Sequence, residues 1–464
     1  MSMSHGAMSQ GGSSNGGNSS SGHFGPGDFG SPFSEGQPET TGRYIVTFSD
    51  EVHGDEGAVA EALRSVAGIQ SVASTRDYEA GALDVDEAGA ADAIVFTELG
   101  LAVVSGDAAI GAMSVMEAAA ADPRILAIEP ELVMRAIDEQ AGGTVDYLRG
   151  YRDAASHLFD QFAGASTNGA EAGIEAASFA DSDQFTWGLQ ATGVSASSAR
   201  GQGIKVAVLD TGVDLRHPDL AGRDITSQSF VPGETAQDGN GHGTHCIGTS
   251  CGPVSPGEGR RYGIASEAAI FAGKVLSNAG SGGDGSILAG IDWAVRNACQ
   301  VISMSLGADV RFVSTAYETA GRRALAAGTL IVAAAGNNAD RRKGKMGFVG
   351  TPANSRSIMA VGALDSQLRI GYFSARSNWL AGRGGQVDIA APGVDVYSSV
   401  PMPKRYDVHS GTSMATPHVA GIAALWAKAG GGAGSNLWST LVRSAQRLNL
   451  PAVDVGAGLA QAPQ

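Results

Sequence analysis

The 464-residue chain lacks the features that commit a sequence to a membrane, a disulfide scaffold or a nucleic-acid partner. It has no run of eighteen apolar residues, which excludes a transmembrane helix. Its start, MSMSHGAMSQGGSSNGG, lacks the basic cluster and apolar segment of a secretory signal. Sec-type export is therefore not expected, which leaves the cytoplasm or a non-classical export route. Cysteine is scarce: Cys246, Cys251 and Cys299 form neither a disulfide framework nor a CxxC metal pattern, and an odd number leaves at least one thiol free. Basic residues are nearly missing from one part of the chain. Residues 1–183 hold 29 acidic and 7 basic side chains, a balance of −22, whereas residues 184–464 hold 18 and 24, a balance of +6. The net charge of −16 argues against nucleic acid, and two parts of opposite sign should attract each other. A monomer with neither nucleic-acid nor membrane partners is expected.

Gly and Ser make up almost half of residues 1–41, which show no apolar period, so this stretch cannot offset the cost of ordering and reads as a disordered tail. From Arg43 the texture changes. YIVTF reads as a strand, Glu56 to Val66 as a helix, Ala93 to Val104 as containing a strand, Ala109 to Ala121 as a second helix, and ILAIEPELVMRAI as a last strand. That order fits a small α+β sandwich of ferredoxin-like type over residues 42–137. Residues 138–184 read as a linker, with Tyr147, Tyr151, Leu158 and Phe162 on one face of a helix.

From residue 185 to 464 strands and helices alternate. IKVAVL, IFAGKVL, VISMSL, TLIVAAA and IMAVGAL are short continuous apolar runs, the pattern of strands covered on both faces. SILAGIDWAVRNA and STAYETAGRRALAAG between them have helical period. The fold class expected is α/β, a parallel sheet flanked by helices, with its chemistry outside the carboxyl ends of the strands.

The polar punctuation falls at those ends. Asp210 closes IKVAVL in VLDTGVD, His242 opens HGTHCIGTS after a Gly-rich loop, and Ser413 opens a helix running through Val419, Ile422 and Leu425. A hydroxyl is a weak nucleophile at neutral pH; it needs an imidazole to take its proton and an acid to orient that imidazole. Asn337, just past TLIVAAA, could donate to an oxyanion together with the Ser413 backbone N–H.

DTGVD, HGTHCIGT, AAAGNN and GTSMATPHVAG resemble the motifs of subtilisin-like serine proteases, in that family's chain order of Asp, His and Ser. The resemblance covers about residues 185–464. It implies a serine endopeptidase working through an acyl-enzyme without a catalytic cofactor, with Asp210 as orienting acid, His242 as general base, Ser413 as nucleophile and Asn337 as oxyanion donor. By the same resemblance, Ser305, Leu306 and Gly307 form one wall of the pocket for the residue before the scissile bond, with Ala334 to Gly336 opposite and Gly350 at its floor. Gly280, Ser281 and Gly282 form an edge strand that pairs with extended peptide substrate. No acidic residue lies among these positions, so apolar side chains are preferred over Lys or Arg. Residues 42–137 are similar to the inhibitory propeptides of such proteases, which implies a zymogen with its own prosegment as intramolecular inhibitor and folding aid, cut somewhere between Ile137 and Gln184. Asp219, in HPDL, matches a calcium ligand of some relatives, but the loop after His242 that supplies their other ligands differs here, so structural calcium stays open.

His217, His245 and His418 read as hydrogen-bonded scaffold residues, and Cys246, one helical turn after His242, as a small buried residue and not a nucleophile. A catalytically silent binding protein is the competing reading, against which the full set of Asp210, His242, Asn337 and Ser413 argues. A processing protease with one cellular target is a second alternative.

Overall fold

The computed structural model describes residues 38–67, 69, 71–77, 91–105, 122–137, 178–378 and 384–464. The expectations for residues 1–37, for a helix at 109–121 and for a helical face at Tyr147 to Phe162 lie outside the described residues.

The main sheet has seven strands, all parallel: β6 (Lys205–Asp210), β7 (Ile225–Ser229), β8 (Ala269–Lys274), β10 (Val301–Met304), β12 (Leu330–Ala334), β13 (Met359–Leu364) and β14 (Ile389–Pro392). Their spatial order is β14-β13-β12-β10-β6-β8-β7. The chain enters at β6, runs out to the edge at β7, returns inward to β8 beside β6, then crosses to β10 and proceeds outward through β12 and β13 to β14. β6 is thus flanked by β8 and β10 at the reversal, where an open α/β sheet forms its crevice.

Helices cover both faces. On one side lie α3 (His242–Cys251) and α6 (Thr412–Lys428), whose Cys246, Ile247, Val419, Ile422 and Ala423 pack with Val206, Val208 and Val332 of the sheet. On the other lie α4 (Asp284–Arg296) and α5 (Thr315–Ala326), which bring Ile287, Ile291, Trp293 and Ala320 against Ala207, Leu209 and Ile302. Alternate residues of one strand therefore serve opposite cores, which is why the runs look uniformly apolar. β7, ITSQS, is a polar edge strand without that signal, and it was not expected from the sequence.

A second sheet is built mainly from the N-terminal residues, in the order β5-β1-β4-β3-β2. Its strands are β1 (Thr40–Phe48), β2 (Val72–Ser74), β3 (Ala93–Phe96), β4 (Leu101–Val104) and β5 (Ile125–Ala136). The helix α1 (Glu56–Ala67) covers one face through Val59, Ala62 and Leu63, packed with Val46, Phe48, Val95 and Val104. The alternate residues Ile45, Ile94, Phe96, Leu101 and Val103 join the core around α4 and α5.

Three expectations are corrected. Ala93 to Val104 holds two strands, antiparallel and joined by a turn in which Gly100 takes φ +57°; burial on both faces hid the break. Thr40 and Thr41, read with the tail, belong to β1: Thr40 pairs with Leu132, and Thr41 and Arg43 hold the buried Glu131. Residues 178–184, read as linker, already lie on the large body: Phe179 N–H donates to Ser366 O at 2.8 Å.

β5 is the long element. Its first two thirds pair with β1, and its last residues pass between two short strands of the large body, β9 (Ser281–Gly283) and β11 (Leu306–Gly307).

Candidate active site

The carboxyl ends of β6, β10 and β12 bring Asp210, Ser305 and Asn337 to one edge of the main sheet, and α3 and α6 begin there with His242 and Ser413. His242 Nδ1 lies 2.7 Å from Asp210 Oδ1, which also accepts the Thr211 N–H at 2.7 Å. An imidazole donating from Nδ1 to a carboxylate carries its lone pair on Nε2, the form a general base requires. Asp210, His242 and Ser413 are all buried.

Ser413 sits in the first turn of α6, and the sequence around it explains how it is held. Pro417, four residues on, has no N–H to give the Ser413 carbonyl. Ser305 Oγ donates to that carbonyl at 2.7 Å instead, and the Cys246 thiol lies 3.7 Å from it. Ser413 Oγ in turn donates to the Ser305 carbonyl at 3.1 Å.

Asn337 caps the same helix. Its Oδ1 accepts the Thr412 N–H at 3.0 Å and the Thr412 hydroxyl at 2.9 Å, which fixes the amide so that Nδ2 faces the cleft. There Nδ2 donates to the Ile137 carbonyl at 3.1 Å.

The residues expected to hold substrate surround the end of β5. Met134 pairs with Gly282 and Arg135 with Ser281 on one side; Arg135 pairs with Gly307 and Ala136 with Leu306 on the other. Ala136 N–H donates to Gly280 O at 2.9 Å, and Ile137 N–H to Ser305 O at 3.3 Å. Gly307 must be glycine, since a Cβ there would stand 2.9 Å from Ile137 Cδ1 and 2.6 Å from the Thr351 carbonyl. Gly350 meets a similar limit, 2.4 Å from the Ala308 carbonyl. Gly336, at φ +119°, turns the chain between β12 and Asn337 and donates its N–H to Thr412 Oγ1 at 3.2 Å. Ala334 and Ala335 are buried beside this turn.

The other candidates are scaffold. His245 Nε2 lies 3.0 Å from Val396 O, and His217 Nε2 2.8 Å from Arg405 O. His418 sits against Met414 O at 2.8 Å, and burial pushes its pKa down to about 4. All three cysteines are free and buried, and burial pushes the Cys246 thiol up to about 11, far from a nucleophilic thiolate at neutral pH.

Asp219 does not fit a calcium cage. Its carboxylate accepts the Gly257 N–H at 2.7 Å and the hydroxyls of Tyr262 and Tyr406 at 2.6 and 3.0 Å, a set of hydrogen-bond donors in place of additional anionic oxygens. Among the described residues, the one cluster of three acidic, His or Cys ligands is Asp210, His242 and Cys246, and there the His242 nitrogen is already engaged by the Asp210 carboxylate. No helix among them is long and apolar enough to cross a membrane.

An aspartate–imidazole pair, a hydroxyl at a helix start and an amide donor, set at the crevice of a parallel sheet, are the parts of a hydrolase. The Subtilase family model matches residues 201–459, and the chain belongs to that family, as a subtilisin-like serine endopeptidase acting on protein or peptide. It is 41% identical over 238 residues to subtilisin DY of Bacillus licheniformis, covering 51% of this chain and 81% of that protein. Against subtilisin Savinase of Lederbergia lenta it is 43% identical over 249 residues, 52% of this chain and 82% of the relative. Subtilisin E of Bacillus subtilis (strain 168) matches at 41% over 245 residues, 51% of this chain and 58% of the relative.

Proposed function

We propose that the chain is a zymogen whose residues 38–137 inhibit and template the protease, and that it matures by cutting its own Ile137–Asp138 bond. The observation that carries this reading is the seat of Ile137. Its N–H bonds to Ser305 O, its carbonyl receives the Asn337 amide, and the strand before it pairs on both sides with the walls expected to hold substrate. In this reading the Ile137 carbonyl carbon is the one that Ser413 attacks.

In the reaction Ser413 Oγ attacks that carbon while His242 takes the hydroxyl proton, and Asp210 stabilises the imidazolium. Asn337 stabilises the oxyanion of the tetrahedral intermediate, aided by the Ser413 backbone N–H and the positive end of α6. His242 then delivers the proton to the leaving amine of Asp138, and water releases the acyl group from Ser413 by the reverse sequence. Ile137 itself agrees with an apolar preference before the scissile bond.

Charge supports the pairing of the two parts. Arg322 and Arg323 of α5 bind Asp50 at 2.9 and 2.8 Å, and Arg296 approaches Glu98 at 4.0 Å. The deciding measurement is the intact mass of purified wild type and Ser413→Ala, with fluorophosphonate labelling of both. Wild type should yield a new C-terminus at Ile137 and take the label, and Ser413→Ala should do neither. Identical trimming of both proteins, or none of either, would refute self-maturation.

A further inference from the structure

Lys274 carries no role in the reading above, and its position is unusual. It ends β8 as the register partner of Asp210, and its side chain is fully buried. An ammonium carries three protons and a charge that must be compensated when buried. Nζ donates to the Thr211 carbonyl at 2.6 Å and to Asn278 Oδ1 at 2.9 Å, and it forms an ion pair with Glu234 Oε2 at 3.1 Å.

Each acceptor belongs to a different part of the site. Thr211 follows Asp210, and its hydroxyl accepts the Gly243 N–H at 2.8 Å while donating to Asp238, which also holds Thr244 N–H at 2.9 Å. Those contacts anchor the first turn of α3, which carries His242. Asn278 lies in the turn that precedes β9, where Ser277 N–H bonds to Ser281 O at 2.9 Å. The same Asn278 Oδ1 accepts Gly239 N–H at 2.9 Å, and Asn278 O accepts the amide of Asn240, whose Oδ1 receives the His242 N–H at 3.3 Å. Glu234 closes the junction by accepting Asn278 N–H at 3.0 Å.

We infer that Lys274 is a positioning residue that joins the substrate-pairing edge at residues 280–283 to the Asp210–His242 pair, so that filling the edge sets the acid and base for attack. A buried ammonium held by two acceptors and a carboxylate is stiff, because moving away from any of them costs interaction that water does not replace. Movement of β9 against a bound strand is therefore transmitted to Thr211 and the loop before His242. Lysine suits this task better than arginine, as a compact charge with three donors in tetrahedral array.

The inference rests on the catalytic assignment proposed above, and its test separates the two. Matured wild type, Lys274→Met and Asn278→Ala are compared on a single-residue ester, which leaves the edge empty, and on a tetrapeptide amide that fills it. In wild type the tetrapeptide should show the higher acylation rate. In Lys274→Met that advantage should fall by about 10- to 100-fold in kcat, the scale of an ångström-sized misplacement, with KM changed less than about threefold. Asn278→Ala, which removes the one acceptor shared by Lys274 and the Gly239 N–H, should lose the same advantage in part, with a larger fall on the tetrapeptide than on the ester. Should Lys274→Met fail to fold, Asn278→Ala decides alone. Equal losses on both substrates would reduce Lys274 to scaffold, and no loss would remove its role; either overturns the inference. Fluorophosphonate labelling absent from wild type would instead overturn the catalytic assignment.

Discussion

At the scale of single residues, the site depends on side chains whose partners fix one orientation. Asn337 is the clearest case, since its oxygen is committed to the N-terminus of α6 and its nitrogen to the cleft. Asn337→Ala should lower kcat by about a hundred- to a thousand-fold with little change in KM, a size carried over from removal of such a donor in subtilisin; steady-state kinetics on a peptide amide would check it. Cys246 makes the opposite prediction. Its buried thiol, pushed up to about 11, should resist iodoacetamide at neutral pH while the fold is intact and react once it is denatured. Asp210, His242, Asn337 and Ser413 stand out in the sequence because each lies next to a glycine or small-residue motif at an element boundary. Lys274 and Glu131 carry no such mark, since their contacts are with segments distant in sequence, and neither do the tyrosines that occupy Asp219.

At the scale of elements, two helices of the body begin beneath carboxylates supplied by β5. Glu129 accepts the N–H groups of Thr315 and Ala316 at the start of α5, at 3.0 and 2.9 Å, and Glu131 accepts the Gly285 N–H at the start of α4, at 2.7 Å. Such caps each contribute about 1 kcal/mol. Glu129→Ala in a Ser413→Ala background should lower the unfolding free energy of the uncut chain by about that amount, measured by denaturant titration. It should leave the stability of the matured protein unchanged, because the cap departs with the N-terminal fragment. The main sheet was legible in the sequence because its central strands, buried on both sides, are apolar without interruption. β7, with ITSQS at the sheet edge, and β2, with three residues, were not, since an exposed or very short strand carries no period to read. The hairpin of β3 and β4 was hidden for the converse reason: its turn, Thr97 to Gly100, contains a buried Leu99 that continues the apolar run.

At the scale of the whole molecule, the contact between the N-terminal sheet and the body buries acids along with hydrocarbon. Burial pushes Asp284 up to about 7, although it accepts the Leu132 N–H and the Tyr317 hydroxyl, and pushes Asp292, against Glu98 and Leu99, up to about 6. Around Asp284 stand Glu131 and Glu129 from β5 and the Tyr317 phenol from α5, with Glu131 itself paired to Arg43 of β1. A carboxyl with a raised pKa favours the docked state while it is protonated, and that contribution is lost as pH rises through the raised value. Stability of the uncut Ser413→Ala chain should therefore decline from pH 5 to pH 8, and Asp284→Asn should flatten the decline; thermal midpoints across that range would show it. The twelve residues of β5 have one more consequence. Its first part is paired in register with β1 and its last part is seated between β9 and β11, so on the maturation proposed above the strand would work as a ruler, with the bond to be cut chosen by counting from the N-terminal sheet. Inserting one alanine after Leu132 should move the new C-terminus from Ile137 to Ala136, a shift that mass spectrometry would read directly.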